Sequence, residues 1–148
     1  MKINSIIMLV LFLSIVIFFG FHSNSITVFQ QKPNLKDKGI GPIKEVKLGP
    51  IDQKLAEKGS NLFDSKCSPC HNLDDVNLAP PLRGITKVLS PEFIMNYLMN
   101  TTEMQKKDPY VQKLIQDWKT VPIMKDQQLK EKDARAVLEY LRTVENPE

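Results

Sequence analysis

The sequence is short of the residues that build metal clusters, disulfide frameworks and large aromatic cores. Its 148 residues contain two cysteines, two histidines and one tryptophan, and aromatic residues make up 7%. Two cysteines cannot form the several disulfides of a small secreted scaffold. The 20 Lys and Arg against 17 Asp and Glu give a formal charge of +3, which does not favour a nucleic-acid partner. No stretch alternates apolar and polar residues as a strand would, so the pattern predicts an all-α domain.

Both cysteines stand in one motif, Cys67-Ser68-Pro69-Cys70-His71, which has the form C-x-x-C-H. This spacing is typical of covalent attachment of a c-type haem. Two thiols about one helical turn apart can each add to a haem vinyl group, which gives two thioether bonds. The adjacent imidazole then supplies the proximal iron ligand. The motif therefore predicts one haem c, attached through Cys67 and Cys70, with His71 bound to the iron.

Three other interpretations of the motif are a zinc half-site, a thioredoxin-like redox pair and a structural disulfide. A closed zinc site needs four Cys or His ligands, and His22 is the one such residue left outside the motif. A thioredoxin-like pair belongs in a βαβ pattern, which this sequence does not show. Haem attachment is therefore the favoured interpretation.

Residues 1–25 form a separate segment. Lys2 precedes an apolar run from Ile6 to Phe21, which is typical of a secretory signal peptide or an N-terminal membrane anchor. The lone lysine at the short end predicts that the rest of the chain faces away from the cytoplasm. Both alternatives place the haem motif on the periplasmic side of the cytoplasmic membrane, where c-type haem is attached in bacteria.

Residues 26–50 are rich in lysine, proline and glycine, and we interpret them as a tether. The alternative is that Ile40–Leu48, with apolar residues at intervals, lies against the domain as an extended flap. Residues 51–148 then form the haem domain.

Helical spacing of apolar residues predicts four helices in this domain. Ser90-Pro91 and Asp108-Pro109 are helix-start signals, with a capping residue followed by proline at the first helical position. A glycine at position 59 costs about 1 kcal/mol relative to alanine in an exposed helix, and makes sense where another helix crosses closely. The predicted bounds are about 52–66, about 91–100, 110–118 and about 131–143.

Several segments resemble the monohaem class I cytochromes c, over about residues 51–145. They are Gly59–Phe63, the Cys67–His71 motif, a proline loop ahead of Leu82 and Gly84, a late methionine, and a last helix with Val137, Tyr140 and Leu141. The resemblance implies a cytochrome c-like helical domain in which the first and last helices cross. It assigns Gly59, Phe63 and Tyr140 to that crossing.

In this family a Gly-Pro-x-Leu loop follows the haem motif, and its proline carbonyl orients the proximal histidine. The resemblance implies that the Pro80 carbonyl accepts a hydrogen bond from the second ring nitrogen of His71. Ala79 departs from the family pattern, since the family usually has glycine there.

The residues alone leave the sixth iron ligand open between a methionine, a lysine and no ligand, because His22 lies in the export segment. Met95, Met99 and Met104 lie on or just after a predicted helix, where methionine is commonly a core residue. The resemblance implies Met124, which stands in a proline-containing loop ahead of the last helix. Methionine ligation raises the reduction potential and leaves no open site on the iron.

These features predict an electron carrier and not an enzyme. It would link a quinol-oxidising donor to a terminal oxidase or reductase in a cell-envelope respiratory chain. Lys66 and Lys125 adjoin the two ligand segments and are candidates for steering an acidic partner. The alternatives are a haem enzyme or gas sensor with an open sixth site, and a membrane-tethered cytochrome subunit of a respiratory complex.

Overall fold

The computed structural model describes residues 35–119 and 122–145. Within these ranges the chain forms five α-helices and one 3₁₀ helix, and no strand. The all-α class is therefore confirmed for the described residues. The helices are α1 (Gln53–Lys66), the 3₁₀ helix (Ile85–Lys87), α2 (Pro91–Met99), α3 (Thr101–Lys107), α4 (Pro109–Asp117) and α5 (Glu131–Thr143).

The predicted N-terminal export segment, residues 1–25, lies outside the described residues. Across the part of the chain that is described, no helix combines the length and hydrophobicity needed to cross a bilayer.

Three helices begin at capping side chains. Asp52, Ser90 and Asp108 each accept a hydrogen bond from the backbone N–H three residues ahead, at 3.0 Å. Proline occupies the first position of both α2 and α4, as the sequence predicted. The helix starts are therefore encoded locally, by one or two residues at each site.

Helix α3 was not predicted. Its first two residues are threonines, which have low helix propensity, and the side chain of Asn100 makes no capping hydrogen bond. Thr101 and Met104 are both 0% exposed. Because tertiary burial and not local propensity stabilises this helix, the spacing of apolar residues did not reveal it.

Helices α1 and α5 cross at Gly59, as the resemblance implied. A Cβ at this position would overlap the carbonyl group of Ala136 and would lie 2.9 Å from the Cβ of Tyr140. The rings of Phe63 and Tyr140 pack beside the crossing, with centroids 5.1 Å apart. Only glycine allows the two backbones to approach this closely, which explains why a weak helix former is present in α1.

Residues 37–49, which we call the strap, pack against the helices. The fully buried side chain of Asn96 donates to the Lys38 and Ile43 carbonyls and accepts from the Ile43 N–H. Gly41 lies so close that a Cβ there would overlap the Asn96 amide. Backbone groups of the strap are thus paired with side chains of the helices against which it packs.

The far end of the strap is held by a charged group on α5. Glu139 is 0% exposed and accepts hydrogen bonds from Arg135 and Arg142 at 2.6 to 2.9 Å. The same two guanidinium groups donate to the carbonyls of Lys47 and Gly49. A buried carboxylate with this many donors is satisfied, and the two arginines link it to the strap.

Candidate functional site

A cavity of about 640 Å³ opens beside the Cys67–His71 motif. This volume lies within the range of sites that enclose a small molecule or cofactor. Its wall is largely apolar and draws on α1, the loop after the motif, α2, α4, residues 122–127 and α5. The helical residues in the wall include Phe63, Phe93, Ile94, Tyr97, Leu98, Tyr110, Leu114, Ile115, Val137 and Leu141, and Trp118 lines it just after α4.

The motif follows the end of α1 as a hydrogen-bonded turn, and its three functional side chains all reach the cavity. The Cys67 N–H donates to the Phe63 carbonyl at 2.8 Å, and the Cys67 carbonyl accepts from both Cys70 and His71. Cys67 is buried, Cys70 is exposed and His71 is half-buried, and all three line the cavity. Burial raises the pKa of the Cys67 thiol to about 11, although the nearby Lys66 opposes this shift.

The imidazole of His71 is oriented by Pro80. Its Nδ1 lies 2.7 Å from the Pro80 carbonyl oxygen. Because a carbonyl can only accept, Nδ1 carries the proton, and Nε2 keeps the lone pair that can bind a metal. Ala79 is buried and its φ is not positive, so alanine fits without strain where the family usually has glycine.

Four methionines lie in the described residues, and the structure separates them. Met124 is half-buried and lines the cavity, whereas Met95, Met99 and Met104 do not. Met95 is buried in the core, and the sulfur of Met104 accepts a hydrogen bond from the Ile40 N–H at 2.8 Å. Of the four methionines, Met124 is the one that lines the same cavity as His71.

Helix α4 and Trp118, the residue that follows it, contribute a further wall of the cavity. Tyr110, Leu114 and Trp118 follow each other at intervals of four residues and all line the cavity. The Tyr110 ring packs edge-on against Phe93, with centroids 5.7 Å apart and planes at 80°. The four-residue spacing was a visible signal, but a short helix with an apolar face equally suits ordinary core packing.

Exposed residues around the cavity are of two kinds. Lys66, Lys119 and Lys125 are exposed lysines that line it, and Leu78 and Ile123 are exposed apolar residues that also line it. Lys66 Nζ donates to the Gln127 carbonyl at 3.4 Å, which links the end of α1 to the segment carrying Met124. The opening of the cavity is therefore apolar with a basic rim.

This arrangement fits a covalently attached porphyrin. The apolar wall suits the flat hydrophobic ring, the two cysteines suit the thioether bonds, and His71 presents Nε2 with its lone pair available. No group of three or more His, Cys, Asp or Glu side chains in the described residues would hold a different metal ion.

Comparisons with known proteins agree with this fit. The family model for cytochrome c matches residues 56–145. Among solved structures, a cytochrome c from Rhodothermus marinus is 42% identical, with a TM-score of 0.67, covering 71% of this chain and 90% of that chain. An engineered form of it, Rma TDE, is 42% identical with a TM-score of 0.66 and the same coverage.

A third solved structure is that engineered cytochrome bound to a carbene intermediate; it is 40% identical, with a TM-score of 0.64 and the same coverage. No match was found among curated protein sequences. The family match spans most of the described residues. Both the C-x-x-C-H motif and the residues that line the cavity lie within the matched range. The chain belongs to the cytochrome c family, as a monohaem class I c-type cytochrome with one covalently attached haem c.

Proposed function

We propose that this haem-based electron carrier works in a cell-envelope respiratory chain and that His71 and Met124 would hold its iron. The observation that carries the proposal is that both side chains line one largely apolar cavity, while the other described methionines lie elsewhere. The bound haem supplies one-electron chemistry at its iron. With both side chains bound to it, the iron would have no open site for substrate.

The residues of the chain define the conditions for that electron transfer. The Pro80 carbonyl keeps the proton on His71 Nδ1 and so keeps Nε2 available as a ligand. Thioether ligation by Met124 would favour the ferrous state, and the apolar wall limits contact with water, which also raises the reduction potential.

Exposed lysines at the cavity support docking with an acidic redox partner. Lys66, Lys119 and Lys125 would steer such a partner, and the exposed apolar Leu78 and Ile123 would then make a small, transient contact. We propose a quinol-oxidising donor on one side of the reaction and a terminal oxidase or reductase on the other. The work would take place outside the cytoplasmic membrane, either free or anchored through residues 1–25.

Absorption spectra of the protein, produced in a host that attaches haem, test the ligand assignment. We expect a weak far-red band in the oxidised wild type, which reports sulfur bound to the iron. Met124→Ala should abolish the band. Met99→Ala is the matched control, because Met99 is half-buried on α2 but does not line the cavity, and should retain it.

Carbon monoxide binding separates the electron carrier from a ligand-binding haem protein. A firmly bound methionine resists displacement, so the reduced wild type should not bind carbon monoxide at neutral pH, whereas Met124→Ala should. Ready binding by the wild type would contradict the proposal and favour a haem enzyme or gas sensor. Stable co-purification with a respiratory complex would instead identify a tethered subunit.

A further inference from the structure

We infer that Gln105 is a positioning residue for Met124. It acts through a hydrogen bond to the backbone of Met124 and not through a contact inside the cavity. Gln105 lies on α3 and does not itself line the cavity. Its Nε2 donates to the Met124 carbonyl at 2.6 Å. The inference rests on the proposed role of Met124 as an iron ligand.

The segment that carries Met124 has few other hydrogen bonds to the rest of the described chain, and its Leu129 side chain packs in the core. Residues 122–129 contain no helix, and two hydrogen bonds join them to the rest of the described chain. The bond from Gln105 is the shorter one, and the bond from Lys66 to the Gln127 carbonyl is 3.4 Å long. The remaining side-chain bonds of the segment, from Gln127 and to Asp126, stay within it.

Gln105 also lies beside Tyr97, a half-buried residue of α2 that lines the cavity. Burial raises the pKa of Tyr97, and the neighbouring side chain of Gln105 opposes this shift. Gln105 therefore stands between the segment of Met124 and the helix that forms the neighbouring wall.

Fixing the carbonyl of Met124 restricts the backbone on which the thioether is carried. Without this bond the segment gains conformations in which the sulfur is away from the iron. An external ligand can bind only when the sulfur has left, so its apparent affinity is its intrinsic affinity multiplied by that open fraction. Loss of one hydrogen bond of ordinary net strength raises the open fraction roughly threefold to tenfold.

The test is imidazole binding to the oxidised holoprotein, followed by its absorption spectrum. Gln105→Leu removes the donor, and Gln105→Glu keeps the length of the side chain but, when ionised, cannot donate. We expect both variants to bind imidazole about threefold to tenfold more tightly than the wild type. Gln112→Leu is the matched control, because Gln112 makes an equivalent 2.6 Å bond to the Lys106 carbonyl at an exposed site away from the cavity. Its imidazole affinity should not change.

The outcomes separate this inference from the function on which it rests. A side chain with a merely structural role would lower the temperature of unfolding without changing imidazole affinity. Unchanged affinity in Gln105→Glu, or in both variants, therefore overturns the positioning role. If Met124→Ala keeps the far-red band, the ligand assignment itself is wrong. If it loses the band while Gln105 variants bind imidazole as the wild type does, only the positioning role fails.

Discussion

The side chain of Asn96 and the backbone of Ile43 form a closed pair of hydrogen bonds. Asn96 Oδ1 accepts from the Ile43 N–H and Asn96 Nδ2 donates to the Ile43 carbonyl, both at 2.9 Å. Both residues are buried, so neither backbone group of Ile43 has ready access to water. The pair fastens the strap to α2, the helix whose Tyr97 and Leu98 line the haem cavity.

Replacing Asn96 tests this attachment. Asn96→Leu has nearly the same size but leaves two buried backbone groups of Ile43 without partners. At about 1–3 kcal/mol for each unsatisfied group, we expect the free energy of unfolding to fall by roughly 2–6 kcal/mol. Denaturant unfolding followed by circular dichroism measures it. Asn61→Leu, at an exposed position of α1, should change stability by no more than about 0.5 kcal/mol. An equal change in the two variants would contradict the role of Asn96.

The close crossing of α1 and α5 predicts the effect of a single methyl group. Gly59→Ala improves helix propensity by about 1 kcal/mol, but its Cβ would overlap the Ala136 carbonyl group. Because the obstructing atoms belong to backbone, the helices must separate, and we expect a net loss of about 2 kcal/mol or more. Thermal unfolding of the holoprotein measures this loss. Gly49→Ala is the control, since no atom lies within 4 Å of a Cβ there, and it should leave the midpoint nearly unchanged.

The ion pair between Lys58 and Asp133 joins the same two helices and predicts a pH dependence. The hydrogen bond from Lys58, 2.5 Å long, lowers the pKa of Asp133 below its ordinary value of 3.8. The folded state therefore binds this proton less readily than the unfolded state. The stabilisation is fully present above pH 3.8 and is lost as the pH falls through the lower, folded-state pKa.

Measuring the unfolding free energy of the wild type and Lys58→Met from about pH 6 to about pH 2.5 tests this linkage. The wild type should be the more stable by less than about 1 kcal/mol at neutral pH, because both side chains are partly exposed. The difference should shrink at the acid end. Lys54→Met, at an exposed position of α1, should show no such pH dependence, and a constant gap for Lys58→Met would contradict the linkage.

The basic rim of the cavity predicts how the reduced protein reacts with charged oxidants. Oxidation by anionic hexacyanoferrate(III) should slow as salt is added, because screening weakens attraction to exposed lysines. Lys66→Gln, Lys119→Gln and Lys125→Gln should each slow it about twofold or more at low ionic strength. Stopped-flow absorbance measures the rates.

The control variant and a second oxidant complete the rim experiment. Lys54→Gln removes the same charge from a position that does not line the cavity, and should have a smaller effect. A cationic cobalt(III) complex should react faster, not slower, as salt is added. Rates that are independent of salt for both oxidants would contradict electrostatic steering by the rim.

Local signals were sufficient for most of the helical architecture. Ser90 and Asp108 open helices where the sequence predicted them, and α5 spans Glu131–Thr143 as expected. Helix α3 was missed because burial of Thr101 and Met104 stabilises it, and burial is a property of the folded chain. The contribution of α4 to the cavity wall was not predicted for a similar reason, because the spacing of its apolar residues does not reveal what they contact.

By itself, the sequence determined the covalent chemistry, because both thiols and the imidazole lie within five consecutive residues. It also indicated that another helix crosses at Gly59, because glycine lowers helix stability and a close crossing explains why it is present. Only the tertiary structure decided that Met124 reaches the cavity while three other methionines do not, and that the strap packs against α2. These placements depend on pairs such as Ile43 and Asn96, 53 positions apart, whose contact no local spacing encodes.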